Sequence, residues 1–182
     1  LQSLGLVGKG DPVPYQPRVR DRDDVYALRC PSGVVLLSRT DHLSAAHYEE
    51  LPGFAYWSTG GRKEALAGTL EDDQRRAALL RPLVAGARWL DVGTGAGGIL
   101  DLLAPVAGET WAVELQKACR EELVRLGYRA VREIGETPEA HFDVVTLFHV
   151  FEHFLDPVEQ LRGLATRMRP GARLLVEVPH AH

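Results

Sequence analysis

Arg88-Trp89-Leu90-Asp91-Val92-Gly93-Thr94-Gly95-Ala96-Gly97-Gly98 passes from a short apolar run directly into a cluster of glycines. A run of this length, bounded by glycine, reads as a strand ending in a tight loop. Glycines at that place let the backbone turn sharply and approach a ligand closely. The helix expected from residues 97–104, closed by Pro105, presents free amide groups at its start. Thr110 to Leu115 reads as a second strand, and Glu114 stands near its end, roughly 20 residues beyond the loop. A carboxylate there can accept hydrogen bonds from both hydroxyls of a ribose. The loop also spells GxGxxG through Gly93, Gly95 and Gly98, so by itself it favours a nucleotide-like ligand without choosing which.

The same rhythm continues toward the C-terminus. Residues 116–126 form an expected helix stopped by Gly127, and Arg129 to Glu133 a weaker third strand. Phe142 to His149 is a fourth strand, apolar enough to be buried on both faces. Asp156 is placed to cap a further helix, with Pro157 at its first position and Glu159 in capping-box register. Pro170-Gly171 is expected to end that helix, and Ala172 to Val178 to form a fifth strand. Strands alternating with helices predict an α/β, doubly wound, mostly parallel sheet of order 3-2-1-4-5.

Upstream the pattern is less regular. Residues 1–24, rich in Gly, Pro, Arg and Asp, read as a mobile or loosely packed lead. Val25 to Cys30 and Val34 to Ser38, separated by Pro31-Ser32-Gly33, predict a hairpin. Residues 40–65 mix short helical pieces with glycine and proline. Residues 70–85 predict a helix with Ala77, Ala78, Leu79, Leu80, Leu83 and Val84 on its apolar face, bent or shortened by Pro82. The expected division is an N-terminal hairpin-and-helix extension over 1–87 and a ligand-binding domain over 88–182.

The chain has 182 residues, enough for one domain with a sizeable core. With 21 Lys plus Arg against 25 Asp plus Glu, the net charge is −4, which argues against a broad nucleic-acid or anionic-membrane footprint. No apolar run approaches the roughly 18 residues of a transmembrane helix, and Leu1 to Gly10 does not read as a signal peptide. The two cysteines, Cys30 and Cys119, have no CxxC spacing and suit a reducing cytoplasm.

Together these features resemble the class I S-adenosylmethionine-dependent methyltransferases. The resemblance runs from about Trp89 to Pro179. It rests on Leu90 to Gly97, Val113-Glu114, Phe142-Asp143-Val144-Val145, Glu152-His153, and Pro170-Gly171 followed by a strand. It implies S-adenosylmethionine as cofactor, with Asp91, Gly93, Thr94, Gly95 and Gly97 around its amino-acid portion and Glu114 on its ribose. Leu115 and Gln116 would flank the adenine, Glu136 or Thr137 would contact its amine, and Phe148 at the end of the fourth strand completes the set. The family's sheet normally continues past the fifth strand, whereas this sequence ends at His182. The expectation is a fragment, or a homodimer or other partner covering an otherwise open sheet edge.

His149-Val150-Phe151-Glu152-His153 follows the fourth strand, the neighbour of the first, so it should face the same crevice as the glycine loop. HxxEH also matches a zinc-hydrolase spelling, but that chemistry needs both histidines on one helical face. Ubiquinone-pathway O-methyltransferases look similar here, with a carboxylate in place of His149, and their cluster can hold a divalent cation. A nitrogen in place of that oxygen disfavours Mg²⁺ and favours a transition metal; whether a divalent metal binds stays open at this point, and no residue is assigned as a metal ligand. His153 or His149 is the candidate general base for a substrate hydroxyl, since imidazole titrates near neutrality. Glu152 either shares that task or orders the loop. Tyr56 and Trp57 are candidate lid residues, and His42 and His47 read as surface residues. Cys30-Pro31-Ser32-Gly33 is similar to a segment of some sugar methyltransferases, although one cysteine cannot form their zinc site.

The expected activity is therefore O-methylation of a small molecule or sugar hydroxyl. Two other readings remain open at this point. One is an NAD-dependent oxidoreductase on the same type of sheet. The other is a non-catalytic cofactor-binding module completed by another chain.

Overall fold

The computed structural model describes residues 5–19, 23–40, 49 and 60–179. The chain divides into two compact units, Leu1–Ser44 and Ala45–His182.

The first unit carries an antiparallel sheet of three strands, β1 (Val13–Gln16), β2 (Ala27–Arg29) and β3 (Val35–Leu37), in that spatial order. β2 and β3 form the expected hairpin, with Ala27 opposite Leu37 and Arg29 opposite Val35. Gly33 turns it at φ 88°, where its N–H donates to the Cys30 carbonyl. Strand β1 corrects the expectation of a loose lead over residues 1–24. Its Pro14 lacks a donor, but an edge strand tolerates that loss.

The second unit opens with a 23-residue helix, α1 (Arg62–Val84). Glu64 lies in its first turn and Arg81 in its last, charges that complement the helix dipole. Ala65, Asp73, Arg76, Ala77, Leu80 and Val84 are buried along one face at helical spacing, whereas Ala78 and Leu79, expected on that face, are exposed. The helix begins earlier than the apolar pattern indicates and runs past Pro82. Proline stands in the last turn, where the interruption of the hydrogen-bond ladder matters least.

The sheet follows, built from β4 (Arg88–Val92), β5 (Glu109–Val113), β6 (Arg129–Val131), β7 (Phe142–Phe148) and β8 (Met168–Glu177). All are parallel, in the order β6-β5-β4-β7-β8, which is the predicted order. Helices α2 (Gly98–Leu103), α3 (Lys117–Arg125) and α4 (Pro157–Arg167) connect them. Alternation along the strands divides the core between two faces. Trp89 and Val144 pack with Leu100, Leu103 and Leu123 and with Ala77, Leu80 and Val84 of α1. Leu90, Val92, Val145 and Leu147 pack with Phe142 and Leu164 on the other side. Each fully buried Leu or Phe contributes roughly 1.5–3 kcal/mol by removal from water, so these two clusters set the position of the sheet.

Asp156 caps α4, its Oδ1 accepting from the Glu159 N–H at 3.0 Å. The end of that helix departs from the prediction. It stops at Arg167, and Pro170 and Gly171 lie inside β8 rather than before it. The strand accommodates them by an irregularity, its pairing with β7 jumping from Phe142–Met168 to Val144–Arg173. Among the described residues no helix is long and apolar enough to cross a membrane.

Candidate functional site

Gly93, Gly95 and Gly97 have φ values of 73°, 58° and 80°, in the left-handed region that L side chains rarely adopt. Two amides of the loop, those of Gly93 and Thr94, donate to the Val113 carbonyl at 2.7 and 3.3 Å and tie it to the end of β5. Space is as limiting as backbone angle. A Cβ on Gly93 would collide with the Val150 side chain, and one on Gly97 would lie 2.5 Å from Leu123 Cδ2. The Val150 contact brings the segment after β7 directly onto the glycine loop.

Glu114 lies at the end of β5 and is buried. Its Oε2 accepts from the Gly95 N–H at 2.6 Å and its Oε1 from the Gln116 N–H at 2.7 Å. Burial holds its pKa above the ordinary value, while the two amides and Arg120 oppose that rise. Each carboxylate oxygen keeps a further acceptor site, so the group can still receive two hydroxyls. Arg120 closes the same turn by donating to the Glu114 and Leu115 carbonyls, both at 2.8 Å.

Asp91 stands one strand position before the loop and is 2% exposed. Thr146, its partner on β7, donates from Oγ1 to Asp91 Oδ1 at 2.6 Å. Trp89 Nε1–H donates in turn to Thr146 Oγ1 at 2.9 Å. Burial pushes the Asp91 carboxyl up to about 6, against the opposing effect of Thr146. Thr94 Oγ1 is buried and makes no hydrogen bond of normal geometry, although it lies close enough to Asp91 to favour its charged form. A buried hydroxyl in that condition beside three left-handed glycines suits a loop shaped to receive a polar ligand.

Helix α1 supplies the far wall. Arg62 donates from Nε to the Ala96 carbonyl at 2.8 Å and pairs with Asp101 at 2.7 Å. Asp73 accepts from Thr69 Oγ1 at 2.8 Å and sits where a Cβ on Gly98 would fall. The buried Arg76 donates to Glu177 Oε1 from Nε at 3.0 Å and from Nη2 at 2.5 Å, and its guanidinium lies 4.9 Å over the Phe148 ring. Arg75 reaches the same carboxylate at 3.0 Å. Glu177 Oε1 also lies 3.3 Å from His149 Nε2, and Glu152 Oε1 lies 3.7 Å from His149 Nδ1. His149 has φ 54°, and its N–H donates to the Glu177 carbonyl at 2.9 Å.

The arrangement is a glycine loop at the carboxyl ends of parallel strands, flanked by a buried carboxylate and a histidine–carboxylate cluster. Residues 62–182 match the family described as a methyltransferase domain. The chain belongs to that family. It is 30% identical over 145 residues to the ubiquinone biosynthesis O-methyltransferase of Xanthomonas euvesicatoria pv. vesicatoria, covering 71% of this chain and 60% of that protein. The Xanthomonas campestris pv. campestris protein of the same name matches over 145 residues at 30% identity, with 71% and 60% coverage. The chain thus spans about 60% of the length of the curated relatives it matches. Among solved structures, a SAM-dependent methyltransferase from Archaeoglobus fulgidus superposes with a TM-score of 0.51 at 25% identity, covering 69% of this chain and 57% of that one. A chain of the Haloferax volcanii Trm112 methyltransferase activator complex gives a TM-score of 0.57 at 19% identity, over 69% of this chain and 59% of that one, a likeness of fold alone. Membership of the methyltransferase family sets aside the dinucleotide-oxidoreductase reading of the glycine loop.

Within this methyltransferase fold the sequence-selected residues fall into three groups. Asp91, Gly93, Thr94, Gly95, Gly97 and Glu114 line one loop. His149 and Glu152 meet through the contacts above, and His153 ends the one-turn 3-10 helix Phe151–His153, exposed like Glu152. The adenine-side candidates are more dispersed. Leu115 is half-buried, whereas Gln116 is buried and accepts from Cys119 Sγ at 2.9 Å. Burial pushes that thiol up to about 12, so Cys119 stays protonated. Glu136 is exposed and accepts from the Arg132 N–H at 3.1 Å, while Thr137 is buried with its hydroxyl given to the Ile134 carbonyl. Tyr56, Trp57, His42 and His47 lie outside the described residues. Among the described residues no group of three or more His, Cys, Asp or Glu is arranged to hold a metal ion. Sequence reasoning missed Arg62, Asp73, Arg76, Thr146 and Glu177. Asp73 and Arg76 carried a signal, since both interrupt the apolar face of α1 at buried spacing.

Proposed function

We propose that the chain binds S-adenosylmethionine in the loop from Asp91 to Gly97, with Glu114 on the ribose, and methylates a hydroxyl of a small molecule. The observation that carries this reading is the contact between Gly95 N–H and Glu114 Oε2, which joins loop and carboxylate into one cradle. The name of the Xanthomonas relatives supports oxygen as the acceptor atom. The cofactor would supply a methyl group that is already electrophilic on its sulfonium.

The remaining task of the protein is to align the acceptor, exclude water and take up one proton. His153 or His149 takes the proton from the substrate hydroxyl. The Glu177 carboxylate beside His149 Nε2 supports His149, because a proton held on that nitrogen leaves Nδ1 basic. Phe148, under the Arg76 guanidinium, forms an apolar wall beside the cluster. Positioning alone supplies much of the rate in such a transfer. The buried free thiols of Cys30 and Cys119 fit a reducing compartment such as the cytoplasm.

Calorimetry tests the cofactor. S-adenosylmethionine and its demethylated product should bind and NAD should not; the reverse pattern overturns the proposal. Transfer of labelled methyl to phenolic and sugar hydroxyls then tests the reaction, and failure with the adenosyl ligand bound would favour a non-catalytic module.

A further inference from the structure

Trp89, Thr146 and Asp91 form a buried chain beneath the glycine loop. Trp89 and Thr146 are each 0% exposed. A threonine hydroxyl has one proton to give. Because Thr146 Oγ1 already accepts from Trp89 Nε1 at 2.9 Å, its own O–H is free to point away from the indole. Two acceptors lie in that direction, Asp91 Oδ1 at 2.6 Å and the Leu90 carbonyl at 3.4 Å, and the nearer, charged one prevails. Packing alone does not call for this pair. A valine would fill the Thr146 site in a β-strand equally well, and a phenylalanine would fill most of the Trp89 site.

We infer that Trp89 and Thr146 are positioning residues for the cofactor: they aim one proton at Asp91 Oδ1, and so fix the direction and the charge of the carboxylate that meets the cofactor's amino-acid portion. The inference rests on the cofactor reading above. The relay engages Oδ1 and leaves the acceptor sites of the second oxygen for the loop and its ligand. The other groups that bear on Asp91 are Thr94 in the loop, and Asp73 and Arg76 on α1, which oppose one another. Desolvation has brought this carboxyl up to about 6, so near-neutral pH is the range in which one hydrogen bond decides whether it is ionised. An ionised Asp91 attracts the ammonium group of the cofactor; a protonated one does not.

The test uses the whole chain and its Thr146→Val, Thr146→Ser and Trp89→Phe variants. The first readout is the titration of Asp91 by carboxyl ¹³C NMR in the unliganded protein, assigned by difference from Asp91→Asn. The second is the Kd for S-adenosylhomocysteine between pH 5.5 and 8.5. Thr146→Val should raise the Asp91 titration midpoint by about one unit or more. For a one-unit rise it should also weaken binding roughly threefold at pH 6.5 and hardly at all at pH 8.5. Thr146→Ser should restore both readouts, and Trp89→Phe should fall between. If Thr146→Val fails to fold, Trp89→Phe against wild type carries the same comparison. A wild-type titration and a wild-type Kd profile in Thr146→Val or Trp89→Phe would overturn the inference. If the wild type binds no S-adenosylhomocysteine, the cofactor reading falls and takes the affinity effect with it, while the unliganded titration still decides whether the relay sets the charge of Asp91.

Discussion

Glu177 Oε1 lies 3.3 Å from His149 Nε2 while it accepts two hydrogen bonds from Arg76. The carboxylate therefore links helix α1 and the end of β8 to the histidine that follows β7. Glu177→Gln keeps the shape and removes the charge. It should lower kcat several-fold with little change in KM, and Glu177→Asp should recover part of the loss. In a His149→Ala background the same substitution should do almost nothing further, since residues acting through one another are not additive. A double-mutant cycle on kcat checks this. Equal losses in both backgrounds would separate Glu177 from His149.

His153→Ala is expected to leave S-adenosylhomocysteine affinity within about twofold and to lower turnover by at least roughly tenfold if His153 is the base. His149→Ala gives the same pattern if the role is its own. Steady-state kinetics on the two variants, with calorimetry beside them, assigns the proton acceptor.

Gly93→Ala combines a left-handed φ of 73° with a Cβ that would strike Val150. Backbone strain of this kind costs about 1–3 kcal/mol before any clash is counted. Gly127 is the comparison, with φ 92° and nothing within 4 Å of an added Cβ. Gly127→Ala should lose stability alone, and Gly93→Ala should lose stability and ligand affinity together. Thermal unfolding and calorimetry separate the two.

Asp91→Asn should make the unliganded fold more stable at pH 8 and nearly unchanged at pH 3.5. The folded carboxyl titrates at about 6 against an ordinary value of 3.8, so its ionisation works against folding. Below 3.8 both states are protonated and no penalty exists. Between 3.8 and 6 the penalty grows, and above 6 it is complete, at roughly 3 kcal/mol for about two pKa units. Asparagine keeps an oxygen for Thr146 and carries no charge. Denaturant unfolding at the two pH values checks the sign. The stabilised variant should bind the adenosyl ligand less tightly, the familiar conflict between stability and a buried functional charge.

The sheet was legible because its signals are local: short apolar runs, glycines at strand ends, and Asp156, Pro157 and Glu159 at a helix start. Two elements escaped for identifiable reasons. Strand β1 contains Pro14 and is largely exposed, so it lacks the apolar pattern of a strand. Pro170-Gly171 has the local chemistry of a turn, but pairing with β7 draws it into β8 as an irregularity. The glycine loop and Glu114 were visible at the level of a motif. Arg62 and Glu177 were not, because each acquires its role through contacts with residues far away in the chain.

Arg62 begins helix α1 and holds the Ala96 carbonyl and Asp101, while Asp73 further along fills the space over Gly98. The motif is thus contiguous in sequence, but its shape comes from long-range closure. A nascent chain emerging from the ribosome would already hold α1 when the glycines appear, and the two could dock as the sheet forms. A fragment cut at the start of β4 would keep every letter of the motif and lose the helix that gives it a floor. For anyone excising or transplanting this binding loop, the smallest transferable piece starts at Arg62.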